Sequence, residues 1–175
     1  IGDVELNGSI TANNITLAEI NVVEDSELKI NEAATNGKIT LNGNVISTGS
    51  KTLTLNGNVD AFCSSINLNQ GTLESKGTFT AQNDLLINAI CTFGKIVDAK
   101  GNLTINGNAN FANTVTTGNN LTIEGDEIII NGAVIAGKSD PFTEGSILLT
   151  GTTKITANSL SATKDITLNA KVIET

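Results

Sequence analysis

The chain has 175 residues, a formal charge of −8 and 3% aromatic residues, and it contains no histidine. All ten basic residues are lysine, so the sequence has neither the imidazole of a histidine-based catalytic triad nor the guanidinium that clamps phosphates and carboxylates. Because nucleic-acid binding requires a basic surface, this acidic composition argues against a nucleic-acid partner. No apolar run reaches the roughly 20 residues of a spanning helix, so we expect no membrane insertion.

A short apolar, polar, apolar triplet recurs along the chain, often followed by Asn and Gly. Alternation with period two, ended by a residue that tolerates a left-handed backbone, predicts a short strand and then a sharp turn. Spacings of 18 and 19 residues recur between these triplets, although the period is loose. In chain order the triplets are Ile15-Thr16-Leu17, Leu28-Lys29-Ile30, Ile39-Thr40-Leu41, Leu53-Thr54-Leu55, Ile66-Asn67-Leu68, Leu103-Thr104-Ile105, Leu121-Thr122-Ile123, Ile147-Leu148-Leu149 and Ile166-Thr167-Leu168.

This loose tandem repeat of about 20 residues predicts a β-solenoid, in which one coil buries its apolar face only when neighbouring coils stack on it. A narrow interior filled by Val, Ile, Thr and Ala agrees with the shortage of aromatic residues. We therefore predict an all-β chain folded as one parallel β-helix over residues 1–175, either complete or a segment of a longer solenoid. It would have about eight or nine coils and a length of about 40 Å.

Asn-Gly pairs punctuate the predicted strands. Both residues adopt positive φ at low cost, and aligned Asn side chains in successive coils hydrogen-bond to one another as a ladder. The sequence predicts such a structural turn ladder at Asn42, Asn56, Asn106 and Asn131. The competing interpretation is a β-hairpin at each Asn-Gly, which would produce an antiparallel sandwich or barrel.

Four phenylalanines and two cysteines suggest what fills the interior. Phe62, Phe79, Phe93 and Phe111 are separated by roughly one coil each, which predicts an aromatic column. Core filling is the ordinary role of such a column, and a carbohydrate-stacking platform is the alternative. We interpret Cys63 and Cys91 as two buried thiols, with a disulfide between stacked coils as the alternative.

Candidates for catalysis or calcium binding are limited to two acidic runs, Glu24-Asp25-Ser26-Glu27 and Glu124-Gly125-Asp126-Glu127. Short acidic runs are more typical of solvated loops and of edge strands that resist aggregation. We therefore expect no enzyme activity, no catalytic residue, no metal and no cofactor. Thr-x-Thr pairs such as Thr78-Phe79-Thr80 have the form used by ice-binding solenoids, but their irregular spacing favours ordinary strand threonines.

Four segments carry a resemblance to a known class of repeats: 51–59 (KTLTLNGNV), 101–107 (GNLTING), 128–137 (IIINGAVIAG) and 161–170 (SATKDITLNA). They resemble the degenerate repeats of filamentous haemagglutinin-type adhesins and autotransporter passengers of Gram-negative bacteria. The resemblance implies a right-handed parallel β-helix that is secreted or exposed on the bacterial surface and acts as a non-enzymatic shaft displaying binding loops. Its partner would be a host surface glycan or protein, bound by loops that we expect around Thr92 to Lys100 and Gly137 to Gly145.

The alternative function is a self-assembling filament subunit. The ends of a solenoid are bare strand edges, which must be capped or continued by more protein. The segments 1–6 and 171–175 show no helical cap. We therefore expect either a slice of a longer solenoid or a homopolymer in which copies stack end to end.

Overall fold

A computed structural model describes residues 4–137 and 143–174, and within these ranges the chain is all-β, without a helix. The described strands are β1 (Val4–Leu6), β2 (Ser9–Ala12), β3 (Ile15–Leu17), β4 (Ile20–Val22), β5 (Ser26–Ile30), β6 (Lys38–Leu41), β7 (Val45–Ser47), β8 (Thr52–Asn56), β9 (Asn58–Ala61), β10 (Ser65–Ser75), β11 (Phe79–Ala81), β12 (Leu85–Phe93), β13 (Val97–Ala99), β14 (Leu103–Asn106), β15 (Ala109–Phe111), β16 (Val115–Thr117), β17 (Leu121–Ala136), β18 (Ile147–Ala162), β19 (Ile166–Asn169) and β20 (Val172–Glu174).

The strands wind into about nine coils. We number the coils 1 to 9, and they consist of β1–β3, β4–β6, β7–β9, β10–β11, β12–β13, β14–β16, β17, β18 and β19–β20. Every pairing between described strands is parallel and joins one coil to the next. The molecule is therefore a parallel β-solenoid.

Three parallel faces form the wall of the solenoid. Face 1 contains β1, β4, β7, β14, β19 and the first segments of β10, β12, β17 and β18. Face 2 contains β2, β5, β8, β15, β20 and the second segments of the same four long strands. Face 3 contains β3, β6, β9, β11, β13, β16 and the last segments of β17 and β18.

Period-two alternation within each strand builds the core. In β14, Leu103 and Ile105 point inward and are buried, whereas Thr104 between them points outward. Fully burying one such aliphatic side chain contributes about 1.5–3 kcal/mol. Stacking then places the inward side chains of successive coils directly above one another. One such column of face 1 consists of Val4, Ile20, Val45, Ile66, Ile87, Ile105, Ile123, Leu149 and Leu168.

These observations confirm the predicted parallel solenoid with about eight or nine coils. The antiparallel interpretation of the Asn-Gly pairs is wrong, because the chain turns a corner at these pairs and pairs with the previous coil instead of folding back on itself. The loose period has a structural cause in the corners. Asn88 bonds Asn106 across 18 residues, whereas Asp25 bonds Thr52 across 27, because the second interval includes the long corner at residues 31–37.

The predicted aromatic column contains three of its four members. Phe79 meets Phe93 edge to face at 5.4 Å between ring centroids, and Phe93 stacks on Phe111 at 4.9 Å. Phe62 does not join them and is 45% exposed. The reason is alternation, because Ala61 and Cys63 on either side of Phe62 both point inward and leave it facing solvent.

Candidate functional site

A groove runs along the corner between face 1 and face 2, and it originates from a change in corner length. In coil 4 the four residues Leu68 to Gly71 make this corner, whereas in coil 5 Ala89 occupies it alone, opposite those four. Coil 6 uses two residues at this corner, Gly107 and Asn108, and coil 7 uses three, Gly125 to Glu127. The shorter corners of coils 5 and 6 therefore lie closer to the solenoid axis than the longer corners of coils 4 and 7, which project on either side and enclose the groove.

The floor of this corner groove contains Ala89, Ile90 and Gly107. Ile90 is 44% exposed, so the floor presents an apolar side chain to the groove. One side wall is formed by Asn69 and Gln70 of coil 4. The opposite side includes Asp126 and Thr152, from coils 7 and 8.

The coil 4 wall has an unusual backbone. Asn69 and Gln70 both lie in the left-handed region, with φ of 48° and 66°. Asn tolerates that region at low cost, whereas for Gln70 it costs of order 1–3 kcal/mol, so the conformation persists only where its surroundings hold it. One contact that holds it is a 3.1 Å hydrogen bond from the Asn69 backbone N–H to the Asn67 Oδ1.

Outward-facing polar side chains form a ladder through the groove. In coils 4 to 8, the register aligns Asn67, Asn88, Asn106, Glu124 and Thr150 on face 1. The Asn106 Nδ2 donates to the Asn88 Oδ1 at 2.8 Å, which fixes the orientation of both amides. The Asn88 Nδ2 and the Asn106 Oδ1 have no protein partner in the part of the chain that the structure describes, so they face the groove as a donor and an acceptor.

Charge in the groove is negative. The Glu124 carboxylate is exposed and has no ion-pair partner within residues 4–137 and 143–174. The Asp126 carboxylate accepts a hydrogen bond from the Thr152 hydroxyl, which holds it at the groove edge. None of the lining residues is lysine. The groove therefore offers hydrogen-bond donors and acceptors without a positive charge.

The structure does not bring together the four asparagines of the predicted ladder. Asn42 lies at the corner that leads from face 3 to face 1, and Asn106 ends a face 1 strand. Asn56 ends a face 2 strand, and its Nδ2 donates to the Glu27 Oε1 at 3.1 Å. Asn131 lies between the face 2 and face 3 segments of β17, and its carbonyl accepts from Asn158. The loose repeat places Asn-Gly pairs at different corners, so only Asn106 belongs to a ladder, and its partner is Asn88.

Other asparagines join successive coils by accepting backbone N–H groups. The Asn44 Oδ1 accepts from Ser64 at 3.1 Å and Ser65 at 3.0 Å. The Asn102 Oδ1 accepts from the Asn120 backbone at 3.1 Å and from its Nδ2 at 3.0 Å. These bonds satisfy corner amides that the sheets leave unpaired.

Both cysteines are buried free thiols. Cys91 lies inward on face 2, where its register partners are Leu73 and Ala109, and Cys63 lies at the corner after β9. Burial raises the pKa of the Cys63 thiol to about 11 and that of the Cys91 thiol to about 12. Both side chains are thus protonated and pack as small apolar groups near neutral pH.

The two acidic runs are divided between structural contacts and solvent. In the first run, Glu24 pairs with Lys51 at 2.9 Å, and the Asp25 Oδ1 accepts the Thr52 backbone N–H at 2.8 Å. In the second run, Glu127 stands in register with Lys154 of the next coil. No three acidic or cysteine side chains converge as a metal site among the described residues. The same residues include no helix long and apolar enough to cross a membrane.

Of the two predicted adhesive loops, the first, Thr92 to Lys100, was predicted with the wrong boundaries. Thr92 and Phe93 end β12, and Val97 begins β13, so only Gly94 to Ile96 form a turn. In the second loop, Gly137 to Gly145, residues 138–142 lie outside the described part of the chain. The corner groove was not predicted from the sequence, because the run Leu85 to Phe93 contains no Gly or Pro to mark the bend at Ala89. The period-two pattern continues through this bend, so the sequence contains no signal for it.

No protein-family model matches the sequence, and no match was found among curated proteins or solved structures.

Proposed function

We propose that this chain is a non-enzymatic structural shaft of a secreted or surface-exposed bacterial adhesin, which gives reach and displays a binding surface. The observation that carries the proposal is the unbroken stack, in which one inward column of face 1 continues from Val4 in coil 1 to Leu168 in coil 9. Because each coil contacts only its neighbours, such a rod gains length by adding coils and needs no new core.

The shaft proposal predicts that a whole coil can be removed. Val45 and Ile66 are register partners in adjacent coils, so deletion of residues 45–65 joins Asn44 to Ile66 and closes the stack. We expect a folded rod shorter by about 4.8 Å, measured by small-angle X-ray scattering and electron microscopy. Deletion of residues 45–54 removes about half a coil and is the matched control, because it places unlike faces over each other. Loss of folding in the whole-coil deletion would contradict the proposal.

A cell-level experiment tests the location. Antibodies raised against the purified chain should label intact cells of the source bacterium, or the protein should be found in the culture medium. Labelling that requires permeabilised cells, with none in the medium, would contradict a surface or secreted shaft. Controls are an antibody to a known cytoplasmic protein and a strain lacking the gene.

A filament subunit is the second candidate function, and exposed apolar residues in coil 9 favour it. Ile166, Val172 and Ile173 are 46%, 48% and 44% exposed. A further coil stacked on coil 9 would bury Ile166 and Ile173, which continue inward columns, whereas Val172 is in register with the outward-facing Lys154. Electron microscopy of the purified chain over rising concentration distinguishes the two candidates, because end-to-end assembly gives filaments that lengthen with concentration and Ile166→Lys would shorten them. Short rods of constant length support the shaft.

A further inference from the structure

We propose that the corner groove between face 1 and face 2 binds a linear, uncharged oligosaccharide that lies along the solenoid axis. The proposal deepens the shaft function, because it names the chemistry of the displayed surface. The groove crosses coils 4 to 8, and its polar groups recur once per coil along a straight line. Their spacing is the strand spacing of about 4.8 Å, which is comparable to the length of one sugar ring.

The side chains of the ladder match sugar hydroxyls. A hydroxyl both donates and accepts, and a carboxamide offers one of each in fixed positions. Asn88 and Asn106 are held by their mutual 2.8 Å bond, so their remaining donor and acceptor are oriented before a ligand arrives. Binding then requires little ordering of these side chains, which reduces its entropic cost.

The floor supplies the apolar contact that a sugar ring also needs. Ile90 is 44% exposed between polar neighbours, so the C–H face of a ring can cover it. Ala89 beside it is buried and small, and its single-residue corner makes the depression. Ligand sites combine an apolar lining with a few placed polar groups, and this floor with its polar neighbours has that combination.

Electrostatics select against charged glycans. The Glu124 carboxylate is exposed and Asp126 lies at the edge, whereas no lysine lines the groove. A uronate or sulfate placed here would meet like charge, in a protein whose formal charge is −8. Carboxylates accept hydrogen bonds from uncharged hydroxyls, so an uncharged chain is the ligand that this arrangement favours.

Isothermal titration calorimetry with cellohexaose, an extended uncharged probe, tests the proposal. Without an aromatic platform we expect weak binding, with a Kd on the order of 0.1–1 mM. Ile90→Asp and Asn106→Leu should each weaken binding at least about tenfold. Asn110→Leu is the matched control, because Asn110 is exposed in the same coil as Asn106 but lies on face 2, and it should bind normally. Circular dichroism confirms that each variant is folded.

Hexagalacturonate, an extended anionic probe, tests the charge argument. The native chain should not bind it measurably, and Glu124→Lys should gain binding. The proposal is overturned if cellohexaose does not bind, if Asn110→Leu weakens binding as much as Asn106→Leu, or if the native chain prefers hexagalacturonate. The rod test uses residues 45–65, outside the groove, so a groove that fails to bind leaves the shaft proposal to be judged separately.

Discussion

Whether a side chain in this molecule is buried or exposed depends on the direction in which the period-two alternation of its strand points it. Phe62 and Phe93 each directly neighbour a small residue on either side in the sequence, yet Phe62 faces solvent and Phe93 is packed between the rings of Phe79 and Phe111. The same rule makes Cys63 and Cys91 core residues. Residue type alone therefore does not indicate whether a side chain is buried; its position in the alternation of the strand must also be known.

Replacing Phe93 with Ala should be among the most destabilising single changes. It removes a buried ring from contact with both Phe79 and Phe111, and we expect a loss of about 3–5 kcal/mol in the free energy of unfolding. Urea denaturation followed by circular dichroism measures it. Phe62→Ala is the control and should cost less than about 1 kcal/mol. Similar losses for the two variants would contradict the assigned directions.

The buried thiols predict a loss of stability at alkaline pH. Their pKa values are raised from 9.0 to about 11 for Cys63 and about 12 for Cys91, so the folded state keeps protons that the unfolded state releases. The thiol contribution is complete below pH 9.0 and is lost as the pH rises through the folded-state values. Between pH 9 and 11 we expect Cys91 to account for about 2–3 kcal/mol of that decline.

Thermodynamic measurements at several pH values check this expectation. Cys91→Ala should be less stable at pH 8 because it leaves a small cavity, but its stability should fall less steeply above pH 9 than that of the native chain. Parallel curves for the two proteins would show that Cys91 does not contribute. Reaction with a thiol reagent at pH 8 should likewise be slow until the chain is unfolded.

At the scale of the strand and its corner, uniform strands are joined by variable turns. The corner between face 1 and face 2 contains four residues in coil 4 and one in coil 5, although the strands on either side remain in register. Side-chain acceptors such as those of Asn44 and Asn102 bond the amides of the following coil. Side-chain hydrogen bonds at the corners thus allow the number of corner residues to vary while the strands of successive coils remain in register.

Gly107 illustrates how tightly some corners are built. Its φ is +150°, and an added Cβ would lie 2.2 Å from the Ala89 carbonyl oxygen. Gly107→Ala should therefore destabilise the chain by about 1–3 kcal/mol, measured by thermal or urea unfolding. Gly49→Ala is the matched control, because a Cβ there meets nothing within 4 Å, and it should change stability by less than about 0.5 kcal/mol. A neutral Gly107→Ala would contradict the close approach of coils 5 and 6.

At the scale of the whole molecule, the fold was predictable because its signal is repeated. Each triplet such as Leu103-Thr104-Ile105 specifies an inward, outward, inward strand, and tandem copies require stacking to bury the inward side chains. The groove was not predictable in this way. Period-two patterning is the same on both sides of Ala89, so the run Leu85 to Phe93 predicts a straight strand and contains no mark of its corner. The asparagine ladder failed for a related reason, because residue type does not indicate which corner a turn occupies.

A quasi-linear molecule should also lose its structure gradually along its axis. Coil 9 exposes Ile166 and Ile173, whereas the coils in the middle of the rod bury the corresponding columns. Hydrogen exchange followed by mass spectrometry should show the fastest exchange in β19 and β20 and the slowest in coils 4 to 7. Uniform protection along the chain would indicate one global opening and contradict nearest-neighbour stability.

The long corner at residues 31–37 suggests a practical use of this scaffold. The equivalent turn one coil later is made by Gly57 alone, so seven residues occupy a place where one suffices. Glu32 and Thr35 within it are exposed. A foreign peptide grafted between these two positions would project sideways from an intact stack. Grafts at the same corner of different coils would carry several epitopes at fixed intervals along one molecule, as a presentation platform for vaccines or tethered enzymes.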